Sequence, residues 1–374
     1  MKKVLFTASV PKHIMAFHLP YLEWFKKQGY EVHVACNEYM DIPFSDKVWV
    51  VPFSRSPLNV RDNFNSFLKL KKILDNECFD LISTHTPVAS IITRLSGLFS
   101  NSKSLHKMMY TAHGFHFFKG GPLLNWLLYF PLEVLMSYCS DYIVCINEED
   151  YSLIRKRGSN SCKYFKIPGI GVKNEVFFKV SDSEKSNIRS KLGFLDSDFI
   201  MIYAAEFIER KNHKFIIDTV YRNLDSFSGV KIILAGSGVL YQSVKEEIEA
   251  KQLCDVIHTL GFRTDIDKLY KMADIGFSVS KQEGLGINLI EAMLCGNPIV
   301  ASEDRGHKEI LSNYNCGFLY EGNNEKDFLK SFISLRDNPD LRARLSKSAL
   351  RRGEFFLLNN SLREMSIIYK DAIS

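Results

Sequence analysis

The stretch Glu283-Gly284-Leu285-Gly286-Ile287-Asn288-Leu289-Ile290-Glu291-Ala292-Met293 follows the short apolar run Ile275–Ser278 and opens a helical pattern. A strand that passes through a glycine-bearing loop into a helix is the repeating joint of a parallel α/β sheet. The glycines let the backbone approach a ligand closely, and the first helical turn has N–H groups with no intrahelical partner. That end of a helix carries partial positive charge and suits a diphosphate. Glu283 stands before the helix and Glu291 lies on it. Carboxylates only accept hydrogen bonds, so they suit sugar and ribose hydroxyls rather than phosphate. One can hold the sugar of a nucleotide donor and the other its ribose, with the phosphates between them. Read alone, the same pair is equally well a loop acid and a solvated helix residue.

The loops further out tip that balance. Ala205-Glu206-Phe207-Ile208-Glu209-Arg210-Lys211-Asn212 follows the strand pattern Phe199–Ala204, and places Lys211 where a cation meets a diphosphate. Gly236-Ser237-Gly238 ends the run Val230–Leu234, and Gly261-Phe262-Arg263 ends Val256–Leu260. A lone Gly-Ser-Gly is usually only a turn. Four loops, all small or cationic, on the carboxyl edge of one sheet make a nucleotide-diphosphate site.

The same alternation extends to both termini. Val4–Ala8, Glu31–Ala35, Lys47–Val51, Leu81–Ser83, Met108–Thr111 and Tyr142–Cys145 read as strands, with helical patterns such as Leu19–Gln28 and Asn63–Asn76 between them. The pattern restarts after residue 180, and the polar segment Lys179–Leu195 reads as a linker. The expected fold is therefore α/β: two doubly wound, Rossmann-like domains, residues 1–180 and 181–355, facing each other across a cleft. Leu341–Ile373 reads as one helical stretch, whose end, 356–374, is expected to cross back to the first domain.

Bulk properties agree with this division. A chain of 374 residues is long for one core. Its 46% hydrophobic and 24% charged residues exclude a disordered chain. Residues 1–180 hold 22 Lys and Arg against 15 Asp and Glu, while 181–374 hold 26 against 28, so the front half is the one suited to an anionic partner. A membrane surface or a phosphate-bearing acceptor fits; no nucleic acid is expected. The eight cysteines form no C-x-x-C pair and read as buried, reduced thiols of a cytoplasmic protein. No apolar run reaches the 18 residues of a spanning helix; the nearest, Pro122 to Tyr138, is broken by Asn125, Pro131 and Glu133. Asp265-Ile266-Asp267 has the wording of a metal-binding pair, but it precedes the helix Ile266–Met272, where Thr264 or Asp265 is expected as the cap. No metal and no cofactor is expected.

The wording EGLGINLIEAMLCGNPIVAS resembles glycosyltransferase family 4, the retaining group of GT-B architecture, through its E-x7-E pair Glu283 and Glu291. Glu206 to Asn212 and Asp304-Arg305-Gly306-His307-Lys308-Glu309 are similar to a subgroup that assembles bacterial exopolysaccharides and capsules. The resemblance implies a UDP-sugar as donor substrate, with GDP as the other candidate nucleotide. Glu283 would bind the transferred sugar, Glu291 the ribose, and the Gly284-Leu285-Gly286 backbone the diphosphate. Lys211 matches the family lysine. Glu206 stands where the family has arginine, leaving Arg210, Arg263 or Arg305 to compensate. His113, in Thr111-Ala112-His113-Gly114-Phe115-His116, would lie beside the reacting sugar; otherwise it is a histidine at a strand end. Lys12, His13, His18, His85 and His116 would lie on the acceptor side, in loops after the strands. Asn147 reads as a helix cap. The implied acceptor is a glycan carried on a polyprenyl diphosphate, with peripheral membrane contact through the basic front half and the aromatic run Phe115–Phe130.

Two other functions share parts of this pattern. A nucleotide-sugar 2-epimerase has the same architecture but needs acid and base carboxylates in the front half, where no convincing set appears. A non-catalytic sugar-nucleotide or glycan binder would not need Glu283, Lys211 and His113 together. A dehydrogenase lacks its G-x-G-x-x-G after the first strand.

Overall fold

The computed structural model describes residues 2–54 and 56–374. The chain divides into two compact units, Met1–Ile170 with Asn359–Ser374, and Gly171–Leu358. The first boundary falls at Ile170 rather than residue 180, and the second at Leu358 rather than 355.

The first unit holds seven strands: β1 (Lys3–Thr7), β2 (Glu31–Cys36), β3 (Lys47–Val50), β4 (Leu81–Thr84), β5 (Lys107–Ala112), β6 (Tyr142–Cys145) and β7 (Lys163–Lys166). They pair in the order β3-β2-β1-β4-β5-β6-β7, each pair parallel. The second unit holds β8 (Phe199–Ala204), β9 (Val230–Ala235), β10 (Ile257–Gly261), β11 (Ile275–Ser278), β12 (Ile299–Ser302) and β13 (Gly317–Tyr320). Their order is β10-β9-β8-β11-β12-β13, again all parallel. Both are Rossmann-like α/β sheets. The central strands are buried on both faces, which is why they read as unbroken apolar runs.

Strand order reverses at β1/β4 in one sheet and at β8/β11 in the other. At such a point the loops leaving adjacent strands diverge and open a crevice at the carboxyl edge. The loops that matter below leave β1, β4 and β5 in the first unit, and β8 and β11 in the second.

Several expectations fail for local reasons. The polar segment read as a linker is largely a helix, Asp182–Leu192, capped by Ser181. Its Arg189 Nη2 and Lys185 Nζ both hold Asp274, at 2.8 and 2.7 Å. The segment after β1 is likewise no loop: Pro11, at the first helical position, opens the helix Pro11–Phe17 and His18 ends it. The long C-terminal pattern is two helices, Pro339–Phe355 and Leu358–Ile373. The break forms because Phe356 O and Leu358 N bond the backbone of Val172, at 3.0 and 2.9 Å, instead of continuing a helix. The last helix packs in the first unit, where the Tyr369 ring sits 4.7 Å from Phe25 and Asp371 takes Lys163 at 2.6 Å. Strands β7 and β13 went unread; both are short edge strands, half exposed and without a full apolar run. Cys78 and Cys254 are exposed rather than buried.

Candidate active site

In the second unit the β8 and β11 loops bring Lys211 and Glu283 into an ion pair. Glu283 is 7% exposed. Its Oε1 also accepts from Ser280 Oγ at 2.6 Å, and Arg210 Nη1 stands 3.5 Å from Oε2. The Glu283 N–H donates to Asp304 Oδ2, whose Oδ1 caps the helix Arg305–Leu311 by accepting from His307 N at 2.8 Å. Gly306 lies under this loop: a Cβ there would sit 2.8 Å from Leu285 N. Burial pushes the Glu283 carboxyl up, but Lys211, His307 and Arg210 outweigh it and hold the group below its ordinary range. Glu283 is therefore a buried carboxylate kept ionised by cations beside it.

Gly286 caps the helix Ile287–Leu294 in a left-handed conformation, φ 94°. Leu285 is buried, so it offers a ligand only its backbone. Glu291, just over one turn into this helix, has burial as its main influence and is pushed up to about 8. The two acids that look alike in sequence thus differ: one is an ion pair, the other a carboxyl that favours its protonated form.

The remaining donor-side residues are placed less simply. Glu206 is exposed on the β8 loop. Gly236 and Gly238 approach the chain itself: added Cβ atoms would lie 2.0 Å from Ala205 O and 2.4 Å from Phe207 O. Their small size thus fits the β9 loop against the β8 loop, where Phe207 N bonds Ser237 O at 2.9 Å. Arg263 is held by two bonds to Asp265, 2.8 and 2.7 Å. Asp265 stands at the expected cap position, but its side chain makes no capping bond because Arg263 takes it. Of the three candidate arginines, Arg210 is the one beside the Glu283 carboxylate. Arg305 lies beneath, with Nε 3.3 Å from Glu283 O. Two residues were missed: Ser280, and Tyr203, which donates to Lys211 O at 3.1 Å and bonds Ser280 Oγ at 2.8 Å. Neither stands out in sequence, because one is a loop serine and the other a residue of a buried strand.

In the first unit four histidines converge. His13 and His18 come from the helix after β1, His85 from the end of β4, and His113 from the end of β5. His18 and His85 lie with ring centroids 3.8 Å apart, and His13 and His113 with centroids 4.8 Å apart. His113 Nε2 is 3.5 Å from His85 Nδ1, and Ser83 Oγ holds His85 Nε2 at 3.2 Å. Burial, then neighbouring histidines, push His18, His85 and His113 well below the usual imidazole range. Lys12 and His116 are exposed beside this group. His13 and His116 line a cavity of about 390 Å³ with Ser9, Thr86, Tyr129 and Glu133. Glu133 pairs there with Arg94 at 3.0 Å, both buried. Asn147 caps its helix through Asp150 N at 2.9 Å, and Asp150 in turn takes the Phe115 N–H at 3.0 Å.

Comparison with known proteins adds the chemistry. Residues 184–352 match the model for glycosyl transferases group 1, and residues 3–147 the model for glycosyl transferase 4-like domains. A Bacillus subtilis (strain 168) protein bearing the glycosyltransferase name EpsD is 37% identical over 374 residues, covering 98% of this chain and 96% of its own. The chain belongs to the family 4 glycosyltransferases. This glycosyltransferase is also 23% identical, over 84% of its length and 82% of the relative's, to an Escherichia coli UDP-Gal:alpha-D-GlcNAc-diphosphoundecaprenol alpha-1,3-galactosyltransferase. The crystal structure of Anabaena HepE in complex with UDP and glucose superposes with TM-score 0.79 at 17% identity, covering 99% and 100% of the two chains. That likeness establishes the GT-B fold.

Proposed function

We propose that this glycosyltransferase moves a hexose or N-acetylhexosamine from a UDP-sugar to a polyprenyl-diphosphate-linked glycan, building a bacterial surface polysaccharide with retention of configuration. The observation that carries the donor half is the Lys211–Glu283 pair at the β8/β11 reversal, next to the helix Ile287–Leu294. A cation and a carboxylate satisfy each other until a donor arrives. A diphosphate then takes Lys211 and Arg210, while the sugar hydroxyls take Glu283. The N–H groups of Leu285 and Gly286 meet charge developing on the leaving UDP, an arrangement that stabilises the transition state more than the ground state. Glu291, favouring its protonated form, receives the ribose.

The first unit binds the acceptor. His113 lies beside the reacting sugar, with Lys12, His13, His18, His85 and His116 around the acceptor. Glu133, the carboxylate lining the cavity with His13 and His116, is tied to Arg94, so the departing phosphate rather than a covalent sugar intermediate serves the reaction and takes the acceptor proton. The E. coli relative, and a Campylobacter jejuni relative named for N,N'-diacetylbacillosaminyl-diphospho-undecaprenol, support a lipid-linked acceptor. HepE, also seen with UDP-glucose, supports UDP.

A lipid acceptor calls for membrane contact at the inner face of the cytoplasmic membrane. No helix among the described residues is long and apolar enough to cross a membrane. The helix Leu123–Ser137 instead turns Leu123, Leu124, Leu127, Leu128 and Leu135 outward, between 57% and 73% exposed. Its Trp126, Tyr129, Phe130 and Val134 pack inward. An outward leucine row suits partial insertion among acyl chains.

The test is incubation of purified protein with UDP-sugars and short polyprenyl-diphosphate glycans, with products resolved by mass spectrometry and anomeric NMR. A product one sugar heavier, with the donor's anomeric configuration, is expected. Donor left intact, or epimerised without acceptor, would overturn the reading.

A further inference from the structure

His13, His18 and His113 can each present one ring nitrogen so that the three lie within 4.8 Å of one another. The three side chains come from two separate connections, the helix after β1 and the end of β5. The fold draws them together at one sheet edge. His18 is 2% exposed, and its Nε2 has no hydrogen-bond partner. A buried, unpaired imidazole nitrogen loses its hydration without replacement, which is unfavourable. Such a cost calls for a ligand that the nitrogen can engage. The His18 ring packs beside three other imidazoles, with ring centroids 5.1 Å (His13), 3.8 Å (His85) and 5.4 Å (His113) away.

We infer that His13, His18 and His113 form a site for one late first-row divalent metal ion, of the zinc and nickel class. Three imidazoles without a carboxylate are a donor set for zinc, nickel, cobalt or copper; magnesium and calcium require oxygen. Zinc–nitrogen bonds of about 2.0–2.1 Å put tetrahedral ligand atoms roughly 3.4 Å apart. Binding therefore draws the rings inward by side-chain rotation, with a water in the fourth position. His85 positions the set: Ser83 fixes its Nε2, and its Nδ1 faces His113 Nε2. A bound ion ties the β1 connection to the β5 end, so it also stabilises the first unit by linkage.

The site concerns ion capture and does not require the transfer reading. The experiment uses tag-free, chelator-treated full-length protein titrated with Zn2+, Ni2+ or Mg2+ by calorimetry. One equivalent of Zn2+ or Ni2+ with micromolar or tighter affinity, and no heat from Mg2+, is expected. His13→Ala and His113→Ala should each weaken binding at least tenfold, and His258→Ala, in the other unit, should not. Should His18→Ala fail to fold, the wild-type chain loaded with Co2+ still decides. Nitrogen-ligated visible bands support the site. A thiolate charge-transfer band, implicating Cys78 or Cys254, overturns it. No binding, or affinity unchanged in the His13→Ala/His113→Ala double variant, also overturns it.

Discussion

The reversal points of the two sheets are built from opposite materials. At β8/β11 the loops carry full charges, Lys211, Arg210 and Glu283, which neutralise one another. At β1/β4 the side chains are imidazoles that burial keeps uncharged. One topology thus presents two kinds of chemistry. Paired charges can be exchanged for a charged ligand at little net cost, which suits a nucleotide diphosphate. Without a bound ion, a group of neutral rings offers hydrogen bonds and stacking without a net field, which suits a sugar or an acceptor hydroxyl.

Breaking the charged edge should do the most damage. Lys211→Ala leaves Glu283 buried without its main partner, so a loss of about 3–5 kcal/mol of stability is expected, together with a roughly 10²–10³-fold fall in transfer. Lys211→Met combined with Glu283→Gln should restore the melting temperature but not transfer. Recovery of both would show the pair to be structural only. On the neutral edge, His113→Ala removes a ring that no charge depends on. The fall in kcat should be roughly 10²-fold with the melting temperature of the chelator-treated, metal-free chain nearly unchanged, measured by initial rates and thermal melts.

Within the second unit, Glu291 is governed by burial rather than by a neighbouring cation. Its carboxyl titrates near 4.3 when unfolded and about 8 when folded. The unfolded chain therefore ionises first, and the chain loses stability as pH rises from about 4.3 to about 8. Glu291→Gln should remove that slope and raise the melting temperature at pH 8. Donor affinity should fall by about 1 kcal/mol, near fivefold. An unchanged melting profile with pH would contradict the burial argument. The smallest effect on catalysis is expected from Leu124→Ser, Leu127→Ser and Leu128→Ser together. Vesicle binding should drop while turnover of a short-chain acceptor stays at the wild-type value; sedimentation and rate assays check both.

The two edges were unequally legible in the sequence. Glu283, Glu291 and Lys211 were readable because each sits at a fixed offset from an apolar strand, and a parallel sheet puts all such loops on one edge. The direct ion pair was not readable, since a period fixes the edge but not which side chains touch. The reason for Gly236 and Gly238 was misplaced for the same cause: a glycine signals close approach without naming what approaches. The histidines were assigned one by one to acceptor loops. Their convergence depends on β1, β4 and β5 being neighbours, which strand patterns far apart in sequence do not specify. The break at Phe356-Leu357 was invisible because the backbone of Val172, far away in sequence, causes it rather than a proline or glycine.

The role proposed for the β8/β11 edge is to bind the nucleotide sugar. Thermal shift against a panel of nucleotide sugars tests it most directly, run in parallel on the wild-type chain and the Lys211→Met/Glu283→Gln variant. A UDP-sugar is expected to raise the wild-type melting temperature with increasing concentration and to leave the folded variant unshifted. A panel with no shift in the wild-type chain, or an equal shift in both proteins, would contradict it.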